Sequence, residues 1–522
     1  MDIHVFLDTD YRNKMTLLEE MQESENRTIS REQLAETMQV SKRTIATIVA
    51  GIKKDLEDLG FQKNIRIFFN EQFSIYRLEI SENFSLQFLA MSYLENSIKF
   101  KLLADLLQDT GDSIENMAQK LFITPSYLRK EIKQLKDYFA DKQITIKTTK
   151  KVTLSGNELT IRLFYSFLYV STFRGFKWPF QFVSYNELNT LIDRLPSDIH
   201  HPETIEKSVL LHYYFAITLL RIRKKKIVSS DKQQVPLYQA YSIQRKNEYS
   251  LFYQTMMKHT LQRANKDLHT EVPILLSTVI SLGSFSLMER PSHFFFLDPK
   301  FENYKFLETV FALMDTLSSY LVVPIDNDEY NTLLYRLCTI NYRVLYFGTS
   351  LINNVMIWNS SDEEITDYKK TRYLLFTALI EKTLNSPDFL HLQEYKEYLK
   401  NQYFKALDQT LPTHKYDPKI NVVFLSYLSN RSMRAKVYEA FESYVNIKVS
   451  NKIDSDTDLI ISDIILSRVT INNLRSSTEI IYVKTHPTVT DLQKIIKKFS
   501  EISLRKIEDY RKKKYADFDL EL

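Results

Sequence analysis

Apolar positions recur in one register at two places along the chain. Residues 34–53 read LAETMQVSKRTIATIVAGIK and residues 117–136 read MAQKLFITPSYLRKEIKQLK. Laid over one another without a gap, Leu34 falls on Met117, Ala35 on Ala118, Met38 on Leu121 and Val40 on Ile123. Ser41 falls on Thr124, Ile45 on Leu128, Val49 on Ile132 and Ile52 on Leu135. The spacing predicts a short helix, a turn and a longer amphipathic helix in each copy. Ser30, with Gln33 three residues on, predicts a capping box before the first short helix. Ser41 caps the longer one, whose apolar side is Ile45, Ile48, Val49, Ile52, Leu56 and Leu59, and Gly60 closes it. In the second copy Asp112 or Ser113 starts the short helix. Thr124 caps the long one, Pro125 sits at its first position, and Leu128, Ile132, Leu135 and Tyr138 line its face. Each copy is followed by two β-prone runs, IRIFFNEQFSIYRLEI (65–80) and ITIKTTKKVTLSGNELTI (144–161), which predict a hairpin wing.

Beyond residue 160 the pattern is helical and aromatic as far as about 410. Two stretches in it resemble each other, KSVLLHYYFAITLLRIRKKK (207–226) and YNTLLYRLCTINYRVLYFG (330–348), and predict two related bundles that meet near Pro291. LPTHKYDP (411–418) reads as a linker, with two prolines among polar residues. After it INVVFLSY (420–427), VNIKVS, TDLIISD (457–463) and EIIYVK (479–484) read as strands, with helices at 432–444 and 489–515. Strand alternating with helix predicts a small α/β domain with a parallel sheet. The expected fold class is multidomain and mainly α. Its parts are two winged helix-turn-helix units (1–80 and 81–160), two helical bundles (161–290 and 291–411) and a C-terminal α/β domain (419–522).

Composition narrows the function. The 522 residues include only 7 glycines, which disfavours glycine-rich phosphate loops and doubly wound nucleotide folds. One cysteine, Cys338, permits no intrachain disulfide and no cysteine-based zinc site, and fits a reducing cytoplasm. The N-terminus MDIHVFLDTDYRNK lacks the basic start and apolar run of a signal peptide, and LFYSFLYVSTF (163–173) is far shorter than a membrane span. A cytoplasmic protein without membrane contact is expected. Net charge is only +4, but Arg129, Lys130, Lys133, Lys136, Lys142, Lys147, Lys150 and Lys151 face only Glu131, Asp137 and Asp141. Such a local basic patch is what phosphate contact requires.

Double-stranded DNA is the expected partner. A recognition helix needs short polar residues at its start and Arg or Lys to reach guanine or phosphate. In the second unit Thr124, Ser126, Tyr127, Arg129, Lys130 and Lys133 fit that need, with the wing bases Lys147, Lys150 and Lys151 placed for phosphates. Their equivalents in the first unit are Lys42, Arg43, Thr44 and Thr47, in more acidic surroundings (Asp55, Glu57, Asp58). The plainer alternative is a solvated charged face for the second unit and a packing role for the first. The run RIRKKK (221–226) reads as a solvated helix end, with an anion or nucleic acid as the alternative partner, and His200-His201 as a loop without metal partners. Asp454, Asp456 and Asp458 alternate as in a calcium loop but lack its glycine and distal glutamate. No nucleophile elbow, metal triad or acid–base pair is visible, so a non-enzyme without cofactor or metal is expected.

The order of these parts resembles the Mga/AtxA family of global regulators of Gram-positive bacteria. The resemblance implies that the bundles are similar to phosphotransferase-system regulation domains (PRDs), whose histidines accept phosphate from a phosphocarrier protein. It implies that the C-terminal domain is similar to enzyme IIB (EIIB-like) and makes a homodimer. It also implies transcriptional activation with RNA polymerase, often of virulence genes. His212, ahead of Arg221, is the candidate phosphoacceptor, although Tyr214 has the better spacing; Arg336 takes that place before Arg343 in the second bundle. FLSY, with Ser426, stands where transporter IIB domains carry a cysteine, so thiol phosphotransfer is not expected. The alternatives are a PRD-type RNA-binding antiterminator, which would begin with a small β-rich module, and a phosphocarrier of the sugar phosphotransferase system.

Overall fold

Small polar caps and left-handed turns shape the N-terminal third. In the computed structural model the described residues are 3–108, 111–196, 199, 205–228, 237–238, 243–260, 268–282, 305–321, 323–352, 367–427, 430–441, 445–467, 470–471 and 474–514. The first unit comprises α1 (Thr9–Glu23), β1 (Thr28–Ser30), α2 (Arg31–Thr37), α3 (Lys42–Asp58), β2 (Ile65–Asn70) and β3 (Ile75–Ile80). Ser30 accepts from the Gln33 amide while the Gln33 side chain accepts from the Ser30 amide, the expected capping box. Ser41 accepts from the Thr44 amide and starts α3. Gly60 follows α3 at φ 74°, a conformation a Cβ would strain. Ile65 and Ile67 of β2, and Tyr76 and Leu78 of β3, are buried, with exposed Arg66 and Arg77 between them. This period of two places one face of the hairpin on the core. β1 adds to β3, giving the order β1-β3-β2, a third strand that three residues are too few to announce.

The second unit comprises α4 (Leu86–Asn96), α5 (Ile98–Leu107), α6 (Ile114–Lys120), α7 (Pro125–Phe139), β4 (Ile144–Lys147) and β5 (Thr153–Gly156). Ser113, rather than Asp112, caps α6, and Thr124 caps α7 with Pro125 in its first turn. The two helix turns are the same structure twice. The amides of Met38, Gln39 and Val40 bond to the carbonyls of Leu34, Glu36 and Ala35. Those of Leu121, Phe122 and Ile123 bond to Met117, Gln119 and Ala118. Gln39 and Phe122 occupy the left-handed region at the same step, φ 54° and φ 57°. Phe122 is 96% exposed.

The chain's first residues join the units. Lys14 of α1 is buried and pairs with Asp55 of α3 at 2.9 Å, and the Tyr93 hydroxyl donates to the same carboxylate at 2.8 Å. Gly51 of α3 makes room, since a Cβ there would lie 2.9 Å from the Lys14 Cε. On the other side Phe6 packs edge-on against Tyr138 and Phe164. The Ile98 amide donates to Asp8 at 3.1 Å, and Lys99 Nζ donates to the Val5 carbonyl at 3.1 Å.

The helical region runs through α8 (Glu158–Phe173), α9 (Tyr185–Ile192), α10 (Ile205–Arg223), α11 (Ile243–His259), α12 (Leu268–Leu282), α13 (Lys305–Tyr320), α14 (Asn327–Leu351), α15 (Asp367–Leu384) and α16 (Lys396–Thr410). The expected meeting point near Pro291 lies outside the described residues, as do His200 and His201. Within it a chain of buried charges crosses α8, α10 and α12. Arg162 pairs with Glu271 at 2.6 Å, Glu158 bonds Arg221 at 2.6 Å, and Arg162 also reaches Glu158 at 3.2 Å. The Glu271 carboxylate accepts the Val228 amide as well. RIRKKK is therefore not simply a solvated helix end. Arg221 is buried, Arg223 donates to the His259 carbonyl and lies over the Phe182 ring, and of the run only Lys224 and Lys225 are exposed. The Glu158 carboxylate, only 10% exposed, draws the arginine in.

One apolar core extends from Phe6 to Tyr416. The expected linker belongs to it. Residues Thr413–Tyr416 form one turn, α17, with the Tyr416 ring buried, its hydroxyl donating to Glu329, and Lys415 pairing with Glu329 at 2.8 Å. A second core lies around β6 (Ile420–Leu425), β7 (Ile447–Ser450), β8 (Leu459–Ser462) and β9 (Glu479–Tyr482). These strands form a parallel sheet in the order β7-β6-β8-β9, with α18 (Asn430–Phe441) and α19 (Val489–Lys514) between and after them. Met433, Val437, Ile495, Phe499 and Ile502 cover it. The molecule is mainly helical with small sheets, as the period change implied.

Removing one member of the Arg162–Glu271 pair strands a buried charge. Glu271→Ala is expected to cost roughly 3–5 kcal/mol, and Arg162→Met/Glu271→Leu less than that single change. Urea unfolding of the three proteins compares them directly.

Candidate nucleic-acid interface

α7 presents its basic residues by helical spacing. Arg129, Lys133 and Lys136 stand four and three residues apart, so they share one face. Leu128, Ile132 and Leu135 turn inward. The basic face and the wing enclose a groove of about 470 Å³ lined by Glu115, Arg129, Lys133, Lys136, Thr148 and Lys150, among others. Lys136 Nζ donates to Thr148 Oγ1 at 3.2 Å and ties the helix to the wing loop. Glu115 of α6 pairs with Arg129 at 2.9 Å and orients its guanidinium. Ser126, Tyr127 and Lys130 are exposed on the first turns of α7, and Lys147 and Lys151 are exposed on the wing outside the groove lining. Thr124 is exposed too, but its hydroxyl oxygen accepts the Tyr127 amide and serves as the cap.

Glu131 does not face this basic surface. It is turned into the core against Lys99, 3.6 Å away, and both side chains are nearly closed to solvent. Burial holds the Lys99 ammonium below its ordinary value while the Glu131 carboxylate opposes that shift. Asp141 pairs with Lys142 at 2.8 Å, and Lys142 lies over the Tyr138 ring. The exposed face of α7 is thus more basic than a count along the chain implies.

In the first unit Lys42, Arg43 and Thr47 are exposed and Thr44 is half-buried. Glu32 of α2 pairs with Lys42, and the Thr47 hydroxyl donates to the Arg43 carbonyl at 3.2 Å. Glu32 and Glu115 hold the same place in the two repeats, so each short helix sets an acid against a base of the following helix. The first wing exposes Phe68 and Phe73, with Arg77 paired to Glu79. Spacing alone could have added Lys136 to the site. Glu115, Thr148 and Thr149 come to the groove only through tertiary packing.

His212 is 2% exposed. One ring nitrogen meets the Ser208 carbonyl at 2.6 Å, the other the Asn189 side chain at 2.6 Å, and Tyr185 stacks on its face at 3.9 Å. A carbonyl only accepts, so Nδ1 carries the proton there. Burial holds the imidazole below its ordinary value, which keeps it neutral. Arg343 donates to the Ser281 carbonyl and to the Tyr398 hydroxyl, and Arg336 to Thr410. Ser426, at the end of β6, donates to Asp463 at 2.8 Å, and the Tyr427 amide donates to the same carboxylate at 2.9 Å. Among the described residues no group of His, Cys, Asp and Glu is placed to hold a metal, and no helix is long and apolar enough to cross a membrane.

A short helix, a fixed turn, a basic second helix and a basic hairpin define a nucleic-acid-binding class, the winged helix-turn-helix. Residues 82–169, from before α4 through most of α8, match the Mga helix-turn-helix domain. Over 134 residues the chain is 28% identical to the capsule synthesis positive regulator AcpB of Bacillus anthracis, a match covering 25% of this chain and 26% of that protein. The chain thus carries a Mga helix-turn-helix domain, and both likenesses bear out the resemblance to Mga-family regulators.

The pH dependence of the first bundle follows from His212. Its folded-state value lies below 6.5, so its contribution to stability is complete above that pH and is lost as pH falls beneath it. The melting temperature is expected to drop between pH 7.5 and pH 5.5 in the wild type and to drop less in His212→Gln. An equal drop in both proteins would exclude the histidine as the cause.

Proposed function

We propose that the chain is a DNA-binding transcriptional regulator that acts as an activator and as a homodimer. The observation that carries this is the groove in which Arg129, Lys133 and Lys136 of α7 and Lys150 of the wing converge. α7 enters the major groove with Ser126, Arg129, Lys130 and Lys133 toward base edges, and Lys147, Lys150 and Lys151 hold phosphates, while the Tyr127 hydroxyl turns back to Glu131. α3 docks a second site with Lys42, Arg43, Thr44 and Thr47. The positive regulation in the name of AcpB supports the sign of the output, and with it contact to RNA polymerase. The parallel C-terminal sheet carries the dimer contact in this reading, and the enzyme IIB-like domain is structural, because Ser426 and Asp463 occupy the strand end where a thiol would be needed.

Tuning by the sugar phosphotransferase system requires a reachable histidine. His212 becomes one only when α9, which supplies Tyr185 and Asn189, moves off α10. Phosphorylation there is thus tied to opening of the bundle, and a phosphocarrier protein is the partner that reading needs.

Salt-titrated binding to duplex DNA tests the regulator reading. Arg129→Ala/Lys130→Ala/Lys133→Ala is expected to lower the salt slope by about 2–3 and the affinity by roughly 100-fold or more. A triple variant that binds like the wild type would move the contact to α3. No binding by the wild type at low salt would remove the reading itself.

A further inference from the structure

Behind α7, away from the basic groove, lies a smaller pocket of about 210 Å³. Its walls are His4, Val5, Arg12, Lys99, Gln134 and Leu135, with no acidic side chain among them. Arg12 of α1 bonds only to carbonyl oxygens, those of His4 at 2.9 Å and Leu7 at 3.3 Å. No carboxylate of the described residues pairs with it. Lys99 donates to the Val5 carbonyl and stands 3.6 Å from Glu131, which leaves an ammonium N–H for the cavity. Two cations from different helices therefore converge on one space, and each raises the cost of the other. That cost falls when an anion sits between them.

The cavity has the volume of about seven liquid waters and is smaller than the roughly 300 Å³ of a drug-sized site. It suits one oxyanion group with a short stem. We propose that this pocket binds a phosphate group, free or as a small ester, held between Arg12 and Lys99 with any stem against Gln134. A guanidinium fork and an ammonium are the side chains that match phosphate, and the Gln134 amide offers both donor and acceptor to a hydroxyl. Val5 and Leu135 give the stem an apolar wall. Gln134 and Leu135 belong to α7, and Val5 to the segment that joins the two units, so an occupant touches both. Only this consequence for recognition rests on the DNA reading; the binding does not.

The test is a calorimetric titration of the full chain at constant ionic strength with glycerol phosphate, inorganic phosphate and acetate. Gln134 is exposed, so Gln134→Glu and Gln134→Lys leave the fold intact while changing the charge at the pocket. Saturable binding of a phosphate compound is expected, with acetate weakest, about tenfold weaker binding in Gln134→Glu, and equal or tighter binding in Gln134→Lys. Tighter binding of glycerol phosphate than of inorganic phosphate identifies an ester as ligand, and equality identifies free phosphate. No saturable binding at millimolar phosphate, or identical affinities in the two variants, would overturn the site. The titration contains no DNA, so its failure leaves the regulator reading untouched, and a wild type that ignores DNA leaves the pocket untouched.

Discussion

Each recognition helix is fastened from behind by a buried lysine. Asp55 of α3 meets Lys14 of α1, and Glu131 of α7 meets Lys99 of α5. An acid on the inner face of an otherwise amphipathic helix would cost several kcal/mol if left alone there. With its partner it fixes which way the helix is rolled. The roll decides what the outer face shows, so Arg129, Lys130 and Lys133 point outward because Glu131 points in. Loss of either lysine would release the helix to rotate its acid toward water and its bases off the groove.

The two fasteners are linked. Lys14 and the backbone that receives Lys99 lie ten residues or fewer apart, on one run from Val5 to Lys14. That run is pinned by Phe6 between Tyr138 and Phe164, and by Asp8 on the Ile98 amide. Two helix-turn-helix units that share such a brace keep a set distance and angle.

Legibility followed the range of the interaction. The turns, caps and helix faces of both units were readable because the forces that make them act within a few residues: Ser41 on Thr44, Thr124 on Tyr127, Gly60 after Leu59. The parallel C-terminal sheet was readable for the same reason, since strand and helix periods are local. Charges were misread wherever the partner is remote. Glu131 needed Lys99, Arg221 needed Glu158, and Tyr416 needed Glu329, each far away in sequence. The groove residues split the same way, with Arg129 and Lys133 found by spacing and Glu115 and Thr148 visible only after folding.

α8 is where the units and the bundles become one object. It follows β5 after a single residue, and its Phe164 packs on Phe139 of α7 and on Phe6. Its Tyr165 hydroxyl donates to the Leu103 carbonyl of α5, while Arg162 and Glu158 bind α12 and α10. A helix buried on almost every side cannot shift toward one neighbour without opening a void at the other. Arg221 of α10 is joined through Glu158 to α8, and Phe164 of α8 packs in turn on Phe139 of α7. The path is short, made of packed rings and buried ion pairs, and ends on the helix that bears the basic groove.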